Sequence, residues 1–251
     1  MGKLLGADVA VVTGAAQGNG RAIAMGLAQH GAKVALGDIN GDGAEAVAAE
    51  IQHAGGTAFA MSVDVCDLDQ CLRFAGETEA RLGAISILVN NAGIIRRVPF
   101  DDDGYDRDWD DTFRVNVTGM KNMTRAALPQ LRRTKGRIVN LGSIMSFVAG
   151  PRTSSYAASK GAVGQFTRAL AAELAADGIR VNAIAPGVIA TPMTEVTRAD
   201  AATLARFMAH TPLGRVGEPE ELVGPVVFLA SSMSSYVTGA VLPVDGGYLA
   251  V

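Results

Sequence analysis

Apolar residues follow two rhythms along the chain. Short unbroken runs, DVAVVTG (8–14), KVALGD (33–38), TAFAMSVDV (57–65), ISILVNN (85–91), GRIVNLGS (136–143), IRVNAIAPG (179–187) and AVLPVDGG (240–247), alternate with longer stretches in which apolar side chains return at helical spacing. An unbroken run of that length predicts a strand buried on both faces. The helical stretches include RAIAMGLAQHG (21–31), closed by Gly31, and spans near 42–54, 108–133 and 153–176. Regular alternation of strand and helix predicts a parallel sheet covered by helices on both sides, so the expected fold is α/β and doubly wound. No linker, low-complexity tract or charge block divides the chain, and one domain over 1–251 is expected. Only 187–217 breaks the rhythm. A long insertion after a strand's carboxyl end is expected to lie as a lid over a ligand crevice.

Composition narrows the function classes. Hydrophobic residues make up 49% of the chain and charged residues 19%, with 30 glycines, which suits a filled core crossed by tight turns and not a disordered chain. The net charge of -3 and the lack of a basic stripe argue against a nucleic-acid partner. No apolar run is long enough to cross a bilayer, and the N-terminus does not read as a signal peptide, so a cytoplasmic protein is expected. Cys66 and Cys71 are five apart, which is neither a CxxC pair nor half of a zinc site; two reduced thiols and no metal are expected.

The chemistry begins at TGAAQGNG (13–20), between a predicted strand and a helix. Free N–H groups and the positive helix end favour a pyrophosphate there, and Gly14, Gly18 and Gly20 let a ligand approach the backbone. Gln17 and Asn19 lie among them. The spacing is GxxxGxG, without the Lys-Ser/Thr ending of a P-loop. Asp38 ends the second predicted strand, with Ile39 beside it. A carboxylate in that place accepts hydrogen bonds from ribose hydroxyls and repels a 2′-phosphate, favouring NAD over NADP; capping the turn before Asn40 is the plainer alternative. Asp64-Val65 and NNAG (90–93) stand at the ends of the third and fourth strands. In YAASK (156–160), Tyr156 and Lys160 are four apart and share a helical face.

Taken together, TGAAQGNG, Asp38, DV at 64, NNAG, Asn116, Ser143, YAASK and PGVIAT at 186 resemble the short-chain dehydrogenase/reductase family in order and spacing, from about residue 3 to the C-terminal VDGGYLAV. The resemblance implies a Rossmann-type sheet of seven parallel strands in the order 3-2-1-4-5-6-7. It also implies an oxidoreductase in which Tyr156 is the general acid or base, Ser143 orients the substrate oxygen, and Lys160 lowers the Tyr156 pKa and binds the nicotinamide ribose. Asn116 would hold a proton-relay water. It assigns the nicotinamide amide to the Val188 backbone and Thr191, after Pro186, places Asp64 and Val65 at the adenine, and sets Asn91 and Gly93 beside the adenosine side. Asn19 departs from the pattern, which usually has an aliphatic residue there.

Within the family, NNAGIIRR (90–97), DWDD at 108 and the C-terminal tail look most like dehydrogenases of sugar acids and polyols, the gluconate 5-dehydrogenase and 2-deoxygluconate 3-dehydrogenase types. Arg96, Arg97 and Arg152 are candidate cations for a substrate carboxylate; Met145, Phe147, Met193 and Met208 could instead form an apolar pocket. A 3-oxoacyl thioester reductase is the rival enzyme, and a non-catalytic dinucleotide sensor the rival class. Ala- and Gly-rich helices at 108–133 and 153–176, with the resemblance, point to a homotetramer.

Overall fold

The computed structural model describes residues 3–251. Its seven strands, β1 (Val9–Thr13), β2 (Lys33–Asp38), β3 (Thr57–Ser62), β4 (Ile87–Asn90), β5 (Arg137–Leu141), β6 (Arg180–Pro186) and β7 (Val241–Val244), form one sheet in the order β3-β2-β1-β4-β5-β6-β7. Every neighbouring pair is parallel. Side chains alternate between faces along a strand. Accordingly Ala10 and Val12 of β1 join one core with Ile23, Leu27 and Val226, while Val9 and Val11 join the other with Phe74, Met123 and Leu131. Burial on both faces is what the unbroken apolar runs encode.

The first face carries α1 (Gly18–Gln29), α2 (Gly41–His53) and α9 (Val223–Ala230). The second carries α3 (Leu68–Leu82), α5 (Met120–Thr134), which continues from α4 (Tyr105–Phe113), and α6 (Ser154–Leu174). Strand β3 stops at Ser62, short of the expected run to Val65. Asp67 accepts the N–H groups of Asp69 and Gln70 and caps α3, so Asp64 and Val65 belong to the turn into that helix. The expected helix 108–133 begins earlier and is interrupted between α4 and α5 by a π turn over Arg114–Gly119.

Chain order reverses between β1 and β4, which opens a crevice at their carboxyl ends. The segment after β6 contributes a short 3₁₀ turn (Pro192–Thr194), α7 (Glu195–Ala199) and α8 (Ala201–Ala209). Its base is pinned: Gly217 N–H donates to the Val188 carbonyl (3.0 Å), and Ala190 N–H to the Gly217 carbonyl (2.8 Å). Among the described residues, no helix is long and apolar enough to cross a membrane.

Candidate functional site

The glycine turn is held by the strand next to it. Asn91 Nδ2 donates to the carbonyls of Thr13 (2.9 Å) and Gly14 (2.8 Å), while Thr13 Oγ1 accepts the N–H groups of Asn91 and Ala92, each at 3.0 Å. Gly14 and Gly18 have φ of 63° and 53°, a conformation that glycine adopts without strain. Gly20 is required by contact: a Cβ would stand 2.0 Å from the Gly14 carbonyl oxygen and 2.5 Å from Asn91 Nδ2. Helix α1 starts at Gly18, and Gln17 provides no side-chain cap, so its first-turn N–H groups can serve an anion.

A groove of about 350 Å³ runs from this turn past Asp38, Ile39, Asp64, Val65, Asn91, Gly93 and Thr191. Asp38 Oδ2 accepts from Ala16 N–H and Oδ1 from Asn40 N–H, both at 2.9 Å. The carboxylate therefore closes the turn before Asn40 and also places a fixed negative charge at the groove's end. Ile39 is 76% exposed beside it. Asn19 Oδ1 is buried with no hydrogen-bond partner among the described residues. At the groove's other end a Cβ on Gly93 would be 3.1 Å from Asn116 Oδ1 and 3.6 Å from Lys160 Nζ, while Asn91 stays tied to the glycine turn.

That end of the groove meets a small cavity bordered by Ser143, Tyr156, Lys160, Pro186 and Thr191, with Asn19, Asn91 and Gly93 shared between the two. Ser143 leaves β5 and begins a 3₁₀ turn, its hydroxyl accepting Met145 N–H (3.1 Å). Tyr156 and Lys160 come from one face of α6, with Nζ 5.7 Å from the centre of the Tyr156 ring. Lys160 Nζ donates to the Leu141 carbonyl (2.7 Å), and burial brings its pKa down to about 8. Burial raises the Tyr156 phenol above its ordinary value, opposed by the Ser143 hydroxyl and the Arg97 charge. Loss of water outweighs both, and the depression expected from Lys160 does not contribute. Asn116 reaches this cluster from the π turn: Oδ1 accepts Ile94 N–H (2.8 Å), and Nδ2 donates to the Ile94 carbonyl and to Ser159 Oγ, both at 3.0 Å.

Beyond Ser143 and Tyr156 a larger cavity of about 360 Å³ opens under α7 and α8. Arg97 and Arg152 border it. Arg97 Nη2 donates to Thr197 Oγ1 (2.6 Å), and Arg152 donates to the Arg97 carbonyl (3.3 Å) from a left-handed backbone, φ 60°. Arg96 points away and pairs with Asp111 (3.0 Å), with Asp108 4.0 Å off. Of the apolar candidates, Met145 and Met193 line the cavity, whereas Phe147 is 47% exposed outside it and Met208 lines a separate hollow beside Pro212 and Leu213. Val188 borders the main cavity, but its carbonyl is occupied by Gly217 N–H.

Sequence reasoning missed Thr13, Thr197 and the clamp on the start of α6. There Asp108 accepts from Ser155 Oγ (2.6 Å), and the hydroxyls of Tyr105 and Ser154 are 2.9 Å apart. An acidic side chain on the buried face of an otherwise solvated helix was the available signal for Asp108. Among the described residues, no group of three or more His, Cys, Asp or Glu could hold a metal, and both cysteines are free thiols.

A family model described as enoyl-(acyl carrier protein) reductase matches residues 14–249. A 3-oxoacyl-[acyl-carrier-protein] reductase of Thermotoga maritima is 40% identical over 95% of this chain and 96% of its own length. The cis-4-hydroxycyclohexanecarboxylate dehydrogenase of Sinomonas cyclohexanicum is 41% identical, with 100% of both chains covered. The crystal structure of a gluconate 5-dehydrogenase from Burkholderia cenocepacia, in complex with NADP and tartrate, superposes with a TM-score of 0.95 at 38% identity, covering 99% of this chain and 98% of that one.

Proposed function

Because the chain belongs to the short-chain dehydrogenase/reductase family, we propose that it moves a hydride between a nicotinamide dinucleotide and the secondary alcohol or ketone of a small hydroxy acid, sugar acids included. The observation that carries this reading is the meeting of Ser143, Tyr156 and Lys160 where the nucleotide groove runs into the larger cavity. A bound dinucleotide supplies or takes up the hydride. Its pyrophosphate fits the N–H groups at Gln17, Gly18, Asn19 and Gly20 on the turn begun by Gly14. Asp38 and Ile39 receive the adenosine ribose, Asp64 and Val65 the adenine, and Asn91, Gly93, Pro186, Val188 and Thr191 the nicotinamide end. The fixed Asp38 carboxylate makes NAD the preferred form.

Tyr156 performs the proton transfer. Burial keeps its phenol protonated at neutral pH, ready to donate to a carbonyl oxygen in reduction; oxidation needs the phenolate. Ser143 donates a hydrogen bond to the same oxygen. Lys160 is mostly cationic at neutral pH, steadies the phenolate and binds ribose hydroxyls. Asn116 holds the water that returns the proton to solvent. The segment 187–217 closes over the substrate. Exposed Leu242 on the edge strand β7 and Phe100 and Trp109 near α4 support a homotetramer, and the chain's composition supports a cytoplasmic location.

The test is reduction of NAD and of NADP in parallel with aldonates, polyols and 3-hydroxyacyl thioesters. Turnover of an aldonate or related hydroxy acid with NAD is expected, and Asp38→Ser should raise kcat/KM with NADP by on the order of tenfold as the repulsion is removed. Thioester turnover with NADP alone would overturn the reading in favour of an acyl reductase. Binding of dinucleotide without any turnover would make the protein a sensor.

A further inference from the structure

The walls of the larger cavity define the substrate more narrowly, on the premise that the hydride-transfer reading holds. Around Ser143 and Tyr156 the wall is mainly apolar, with Ile95, Met145, Val188, Met193, Val196 and Phe207. Four threonines and Arg206 interrupt it; the hydroxyls of Thr153, Thr194 and Thr203 donate their protons within the protein, and that of Thr197 accepts from Arg97 and keeps its proton. Thr153 Oγ1 donates to the Gly150 carbonyl (2.8 Å), Thr203 Oγ1 to Asp200 (2.8 Å) and Thr194 Oγ1 to the Ile189 carbonyl, while Thr197 Oγ1 accepts from Arg97 (2.6 Å). Asp200 is also committed, accepting the N–H groups of Ala202 and Thr203 as the cap of α8.

A sugar acid bears a hydroxyl on nearly every carbon, and each one left unpaired on entering such a wall loses its water without compensation. Ser143 and Tyr156 can satisfy one. Arg97, with Arg152 at its side, presents guanidinium groups whose fork matches a carboxylate. We infer that the preferred substrate is a hydroxy acid with an apolar body: its carboxylate on Arg97 and Arg152, its single reacting hydroxyl on Ser143 and Tyr156, and a ring or methylene chain between them against the wall. In its oxidation the carbinol C–H bond breaks, its hydrogen and electron pair would pass as hydride to NAD⁺, and the hydroxyl proton passes to the Tyr156 phenolate as the O–H electrons form the C=O bond. The products are the ketone and NADH.

The full chain is assayed with NAD and three probes, cis-4-hydroxycyclohexanecarboxylate, gluconate and cyclohexanol, with NADH affinity measured by fluorescence in parallel. The ring acid is expected to exceed gluconate in kcat/KM by on the order of tenfold or more, since a mainly apolar wall with few free polar groups leaves most of gluconate's extra hydroxyls unpaired. It is expected to exceed cyclohexanol by about a hundredfold, through the carboxylate alone. Arg97→Met should shrink that second gap to under about fivefold, and Arg97→Lys should restore part of it, because a point charge replaces the fork. Equal or better turnover of gluconate overturns the inference and leaves the hydride-transfer reading standing. So does a gap between ring acid and cyclohexanol that Arg97→Met leaves intact while NADH still binds. Turnover of no probe by an enzyme that binds NADH overturns both.

Discussion

The dinucleotide groove and the substrate cavity share the edge at Ser143 and Tyr156 but are built from different materials. The groove is mostly backbone: positive-φ glycines, the first N–H groups of α1, and an asparagine that ties Thr13 and Gly14 to the end of β4. The cavity is mostly side chain, drawn from the loop at Ile95–Arg97, the start of α6, and α7 with α8. A backbone surface recognises features common to every dinucleotide and tolerates almost no added atom, as the 2.0 Å approach at Gly20 shows. A side-chain surface can be re-lined without disturbing the sheet below it. The proposed function accordingly assigns the shared chemistry to the groove and substrate choice to the cavity.

If the two regions divide the work in this way, removing the proton donor should silence the enzyme and leave the groove intact. Tyr156→Phe is expected to lower kcat by roughly 10²–10⁴-fold, the range for general acid–base catalysis, with the NADH dissociation constant, read by fluorescence, within about threefold of the parent because the groove's own contacts are untouched. Retention of full activity would remove Tyr156 from the reaction.

Gly20→Ala should have the opposite signature. The new methyl collides with the Gly14 carbonyl and Asn91 Nδ2, and the turn has to open. A loss of roughly 1–3 kcal/mol of stability, as for other overpacked sites, is expected in denaturant melts, together with NADH binding at least about tenfold weaker, since the N–H groups no longer converge. Unchanged NADH affinity would mean that the turn does not carry the phosphates, and the contrast between backbone groove and side-chain cavity would fail.

The same contrast explains what could be read from the chain. Strand β2 has the limits of its apolar run, Lys33–Asp38, because both faces of the sheet are buried: Val34 and Leu36 enter one core and Ala35 the other. Turn chemistry was equally legible at Gly14, Gly18 and Gly20, where few other residue types fit. Legibility failed where a partner distant in sequence decides the outcome. Nothing in IIRR indicates which arginine enters the cavity; Asp111, with Asp108, draws Arg96 outward and leaves Arg97 to face Thr197. Met208 and Phe147 have the right chemistry for a pocket wall, but the paths of α8 and the loop after Ser146 direct them elsewhere. The Tyr156–Lys160 spacing was visible in sequence, but the depth of burial that raises one pKa and lowers the other was not.

Lys160 is buried where groove and cavity meet, and its titration gives the finest measure of how the two are joined. Burial lowers its pKa to about 8, from the value near 10.4 of an unfolded lysine. Below pH 8 both folded and unfolded chains carry the proton, and the native state bears the full cost of burying the charge. Between about pH 8 and 10.4 the unfolded chain binds more protons than the folded one, so this group makes stability rise with pH. Summed over that window, the change is about 3 kcal/mol. Other groups titrate there too: Cys66 and Cys71, pushed up to about 11 by burial, tilt the slope the other way. The useful quantity is therefore the difference between the parent and Lys160→Met, in which those contributions cancel. Urea melts from pH 7 to 10.5 should show the parent gaining on the variant by up to that amount, the gain beginning near pH 8. A difference independent of pH would mean that Lys160 keeps its ammonium hydrated in the folded protein. The junction would then be open to water, and groove and cavity would be one continuous wet cleft.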